Sequence, residues 1–187
     1  MRRGYCSCSE RASAARSRIR LQASERETVS TSAPNHIRPD PPSSNRAIEN
    51  LIATYAELVD DGDFPGVGIL LADATFTGAA GSVSGRDAIE KMLRDSLIVY
   101  DDGTPRTKHV TTNIAIEVDE EAATAVSRSY FTALQALPGL ALQPIVSGRY
   151  QDRFERRDGQ WRFVERQVRT DLVGDVSRHL RHTDAAP

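Results

Sequence analysis

Four side chains of this 187-residue chain have the types and spacing for acid–base chemistry. Tyr55 and Asp60 lie on the first strongly periodic segment, His109 opens a β-branched run, and Arg149 sits in a late Ser147-Gly148-Arg149-Tyr150 stretch. An imidazole titrates near pH ~6.5 and so can take and return a proton at neutral pH. A phenol stays protonated there and donates to a developing oxyanion. A carboxylate orients or charges a histidine, and a guanidinium binds an anionic or carbonyl oxygen. The set suits proton transfer in a pocket and requires no metal or organic cofactor.

Bringing the four together demands a sheet curled around a helix. The helix is legible from Asn45 onward, where Ile48, Leu51, Ile52, Tyr55, Leu58 and Val59 follow a 3.6-residue period and Gly62 ends it. Asp63 caps a short second helix with Phe64, Val67, Leu70 and Leu71. Asp73 to Thr77 reads as a short strand, and Ser84-Gly85-Arg86-Asp87 opens a third helix with Ile89, Met92 and Leu93 inward. After the Asp101–Pro105 loop come strands at 109–118, 122–137, 142–156 and 161–170, the last two joined at Arg157-Asp158-Gly159. Helices first and antiparallel strands afterwards predict an α+β domain. Three helices cannot cover both faces of such a sheet, so the uncovered face suggests a homodimer.

The geometry raises two difficulties. Five residues turn a helix by about 500°, which sets Asp60 about 140° around from Tyr55. Simple alternation groups His109 with Thr111 and Asn113, opposite Ile114 and Ile116, so His109 faces inward beside core isoleucines only with a bulge or twist. Plainer readings stand beside the chemical ones. Tyr55 also suits a core tyrosine, Asp60 with Asp61 a solvated pair, and Arg149 a surface ladder with Arg153 and Glu155. His179 and His182 have metal-pair spacing but no carboxylate companion, which argues against a metal site. Trp161 and Phe163 read as core.

Composition limits the partners. Residues 1–45 carry eight Arg and no Lys against four acids, and the remainder carries sixteen Lys and Arg against twenty-two acids, balances of +4 and −6. An acidic domain without a long basic stripe argues against nucleic acid. No apolar run approaches the ~18 residues of a membrane span, and no apolar stretch of secretory type follows Arg2-Arg3, so a cytoplasmic protein without a membrane partner is the default. Residues 1–44, rich in Arg, Ser and Pro, read as a disordered extension. An alternative start at Val29 would place residues 1–28 outside the native protein. Cys6 and Cys8 both lie there, too close for a relaxed disulfide. The domain spans 45–180 and a flexible tail 181–187.

The ordered motifs Tyr55-Ala-Glu-Leu-Val-Asp60-Asp-Gly62-Asp63-Phe64, Gly85-Arg86-Asp87-Ala-Ile89, Lys108-His109-Val-Thr-Thr-Asn113, Gly148-Arg149-Tyr150-Gln-Asp152-Arg-Phe154 and Asp158-Gly-Gln-Trp161-Arg-Phe163 resemble a SnoaL-like domain of the nuclear transport factor two-like superfamily. The resemblance runs from Ala47 to about Leu180. It implies a cone-shaped α+β barrel, a strongly curved antiparallel sheet on three helices, usually dimeric. The superfamily holds dehydratases of the scytalone and bile-acid type, ketosteroid isomerase, polyketide cyclases, and structural subunits of ring-hydroxylating dioxygenases. Fold alone does not choose among them.

The nearest pattern is the dehydratase one, which assigns catalytic roles to Tyr55, Asp60 and His109 and substrate binding to Arg149; Asn113 and Tyr130 join it as candidate contacts. The further strand acid and second strand histidine of those enzymes have no counterpart here. The expected function is a cofactor-independent lyase or isomerase acting on a small hydrophobic oxygenated molecule such as a polyketide, steroid or aromatic. A non-catalytic binding protein and a structural oxygenase subunit are the alternatives.

Overall fold

The computed structural model describes residues 42–181. Residues 1–41 of the expected extension, both cysteines and His182 lie outside them, whereas Ser43 and Ser44, expected in the extension, cap and open α1. Three helices, α1 (Ser44–Asp60), α2 (Phe64–Leu70) and α3 (Arg86–Ser96), pack on a sheet of β1 (Thr75–Gly78), β2 (Gly81–Ser84), β3 (Thr107–Asp119), β4 (Thr124–Leu137), β5 (Leu140–Arg157) and β6 (Gln160–Val173). The strand order is β2-β1-β6-β5-β4-β3. All pairs are antiparallel except β1 with β6. The sheet is therefore mixed and not closed, with β2 and β3 as its edges. The expected single strand near Phe76 is half of a β1–β2 hairpin, whose side chains pair Thr75 with Ser84 and Thr77 with Ser82.

Local chemistry sets the helix ends. The Ser43 hydroxyl caps α1 by accepting from the Arg46 amide, and the Asp63 carboxylate caps α2 by accepting from the Gly66 amide. The apolar stripe of α1, Ile48, Ile52, Tyr55 and Val59, is buried against Phe131, Tyr150, Phe154 and Phe163 on the inner sheet face. Each such side chain contributes roughly 1.5–3 kcal/mol by leaving water.

One close contact prepares the site. Gly62, just past α1, has φ +72°, and any side chain there would collide with the Gly103 carbonyl. The loop that precedes β3 thus lies directly on the end of α1, which sets the start of β3 beside Asp60.

Candidate functional site

Asp60 closes α1 without any unwinding of the helix and is buried. Its carboxylate accepts three hydrogen bonds from β3. The Thr107 hydroxyl donates to Oδ1 at 2.8 Å, the His109 amide donates to Oδ2 at 2.8 Å, and His109 Nδ1 stands 2.7 Å from Oδ1. Against a carboxylate, Nδ1 is the nitrogen that carries the proton, which leaves Nε2 for a ligand. Burial works against the charge of Asp60. The ring bond from His109 and that histidine's charge outweigh it, aided by its amide and by Thr107, and the carboxyl is held below its ordinary value.

The 140° offset on α1 is thus spanned by the imidazole: Asp60 lies behind His109, and His109 reaches the interior beside Tyr55. A bulge makes this possible. Thr107, His109 and Thr111 face inward, the register shifts between Thr112 and Ala115, Asn113 takes φ +53°, and Ile116 and Val118 face inward after it. The bulge sits in mid-strand, and Ile114, expected in the core, is exposed.

Tyr55 and His109 line a cavity of about 190 Å³, walled by Phe76, Phe131, Val146, Tyr150, Val168 and Val176. A second imidazole enters it, that of His179, from the segment after β6. Burial, reinforced by the charge of His109 and opposed by that of Asp60, lowers the His179 imidazole from 6.5 to about 4. Tyr55 is buried edge-on to Tyr150, with ring centroids 6.0 Å apart. Burial raises its phenol above 10, with Arg166 pulling the other way, so it is a donor at neutral pH.

Beneath these rings lies a fully buried ion pair. Arg166 Nε and Nη2 donate to Asp152 Oδ1 and Oδ2 at 2.9 and 2.8 Å, a bidentate bond. The guanidinium carbon stands 4.1 Å from the Tyr55 ring centre, 4.3 Å from that of Tyr150 and 4.7 Å from that of Phe163. It therefore fixes both tyrosines from below.

The structure does not bring Arg149, Asn113 and Tyr130 to this cavity. Tyr150 and Asp152 take the inward positions of β5, so Arg149 points out, 2.8 Å from Asp171 and stacked over Tyr130. Tyr130 alternates with inward Ser129 and Phe131, and Asn113 is exposed on the bulge. All three line one open depression on the outer face. Asp152, Arg166 and His179 were the residues missed. An acid set between Tyr150 and Phe154 on a clean alternation was the available signal for Asp152.

His179 gives a pH test. Its folded-state value lies below the unfolded one, so the unfolded chain binds the extra proton between the two. Its stabilisation is complete above about pH 6.5, falls as pH drops toward 4, and amounts to about 3 kcal/mol. Asp60, whose carboxyl is lowered from 3.8, loses its contribution only below that value. Urea unfolding is expected to show a loss of this size between pH ~7 and ~4.5, much reduced in His179→Gln. An unchanged slope in the variant would assign the loss to other groups.

Among the described residues no helix is long and apolar enough to cross a membrane, and no three His, Cys, Asp or Glu side chains cluster as metal ligands. No curated protein sequence matches the chain. Solved structures do. Rv3472 of Mycobacterium tuberculosis, a protein of unknown function, is similar at 28% identity and TM-score 0.58, covering 69% of this chain and 72% of its own. A candidate scytalone dehydratase from Novosphingobium aromaticivorans is 28% identical with TM-score 0.57, covering 70% and 86%. The hexachlorocyclohexane dehydrochlorinase LinA-type3 of Novosphingobium barchaimii, at 22% identity, TM-score 0.56 and 70% and 88% coverage, shares the fold. Residues 43–167 match the SnoaL-like domain, so an α+β sheet on three helices, holding a histidine–aspartate pair at the mouth of α1, belongs to the SnoaL-like family.

Proposed function

We propose that this chain is a cofactor-independent lyase or isomerase that moves a proton beside a carbonyl group of a small apolar molecule. The observation that carries the reading is the Asp60–His109 pair at 2.7 Å, with its imidazole in an aromatic cavity next to Tyr55. Asp60 holds the proton on Nδ1, so Nε2 accepts the α-proton as the carbonyl becomes an enolate. Tyr55 donates to the enolate oxygen. In a dehydration the imidazolium returns the proton to the departing hydroxyl, a C=C bond forms and water leaves. In an isomerisation it returns the proton to another carbon. The similarity to a candidate dehydratase at 28% identity supports the lyase direction. An apolar cavity of ~150 Å³ takes benzene, so 190 Å³ favours one- or two-ring ketones over steroids.

Exchange of α-hydrogens in deuterated water tests this without knowledge of the natural substrate. With a panel of one- and two-ring ketones, the wild type is expected to accelerate exchange for at least one. His109→Ala is expected to lose roughly 10²–10⁴ of that rate while keeping its fold. Equal exchange in both proteins would end the enzymatic reading and leave a binding protein. We also assign the outer sheet face, with exposed Val110, Val126 and Tyr130, to a homodimer contact. Tyr130→Glu is expected to halve the mass seen by light scattering, and a wild-type monomer would refute the contact.

A further inference from the structure

His179 lies beyond residues 43–167, the part of the chain that the family shares. Sequence spacing gives it no role, yet it is one of few buried polar side chains and forms part of the cavity wall. Its Nδ1 is buried with no hydrogen-bond partner among the described residues. Leaving a buried polar atom without a partner is costly, so its retention needs a reason.

The segment that carries it is firmly held. The Ile98 amide donates to the His179 carbonyl and the Arg181 amide to the Ser96 carbonyl, both at 2.9 Å. The Tyr100 hydroxyl and Gln135 Nε2 both donate to the Arg178 carbonyl, at 2.6 and 3.2 Å. Val176 anchors the turn in a small apolar cluster with Ala133 and Ile145. The imidazole is therefore built into the wall rather than draped over it. The charged and titratable groups that act on it are His109 on β3 and Asp60 on α1; burial and His109 keep its ring neutral at neutral pH against the opposing pull of Asp60. A neutral imidazole offers one acceptor and one donor nitrogen.

We propose that His179 is a specificity residue that hydrogen-bonds a hydroxyl group of the ligand, so that the cavity selects hydroxylated one- or two-ring ketones over their deoxy analogues. The proposal rests on the assignment of this cavity as the ligand site, but not on turnover. A site built to bond a hydroxyl rejects the analogue that lacks it, because its own polar group is then left unpaired.

The probes are 1-tetralone and a series of its monohydroxy derivatives, titrated into the full chain by calorimetry. At least one hydroxytetralone is expected to bind roughly tenfold tighter than 1-tetralone. His179→Phe is expected to erase that preference. Nitrogen NMR of ¹⁵N-histidine-labelled wild type supplies a readout independent of any variant's folding: the His179 ring resonances should shift with the preferred hydroxytetralone and not with 1-tetralone. No preference in the series, a preference that survives His179→Phe, or unmoved His179 resonances would overturn the proposal. Loss of deuterium exchange as a property of the protein, with the hydroxyl preference kept, would sink the enzymatic reading alone.

Discussion

Replacing Asp152 by Ala is expected to cost about 3–5 kcal/mol of folding stability, the largest loss from any single change considered. The side chains of Asp152 and Arg166 are fully inaccessible to water. Removing the carboxylate strands a guanidinium whose Nη1 already lacks a partner among the described residues. The stacking of Arg166 on Tyr55, Tyr150 and Phe163 does not replace the two bonds lost, since a cation over an aromatic ring is worth about 0.5–2 kcal/mol. The partner change, Arg166→Met, leaves Asp152, among the described residues, with the Ser127 hydroxyl at 3.4 Å and should be comparably severe.

The double variant Asp152→Ala with Arg166→Met separates two causes. Both desolvation costs disappear with the charges, so it should be more stable than either single variant. Its near-ultraviolet circular dichroism should also change, because the two tyrosines lose the cation between them. Urea midpoints for the four proteins close the cycle. Losses in the singles that simply add in the double would show that the pair does not act as a unit.

The pair also shows where alternation in the sequence fails. Trp161 and Phe163 face inward on β6, and strict alternation would turn Arg166 outward with Arg162. Phe154 pairs with Phe163 while Arg153 pairs with Glu165, so one residue is extra in β6 and the parity changes before Arg166. Bulges leave little trace in residue types, and the same is true of Asn113, whose left-handed backbone turns His109 and Ile116 to the same face. The helices are different. The stripe from Ile48 to Val59, the Asp63 cap and the inward Ile89 and Leu93 depend on local spacing alone, and the sequence displays them directly. The β1–β2 hairpin escapes because strands of four residues carry too few alternations. His179 escapes because its burial depends on a bridge between Leu97 and Leu180, residues far apart in the chain.

Asp60→Asn is expected to slow ketone exchange by roughly 10²–10⁴ while the fold persists, for a reason set by hydrogen-bond polarity. Asp60 accepts from three donors and gives none. An asparagine has one acceptor oxygen and one donor NH₂. With its oxygen toward Thr107 and the ring, the NH₂ confronts the His109 amide, and one buried donor pair is left unmet. Turned over, the NH₂ faces Nδ1, which must then accept, and the ring proton moves to Nε2, the atom that should receive the substrate's proton. Either arrangement costs about 1–3 kcal/mol of stability, and the second also puts the imidazole in the tautomer that cannot act as base. Nitrogen shifts of His109 distinguish the two. A swap of the protonated nitrogen with slow exchange would assign Asp60 the role of setting the tautomer. Wild-type exchange in Asp60→Asn would mean that the carboxylate only ties α1 to β3.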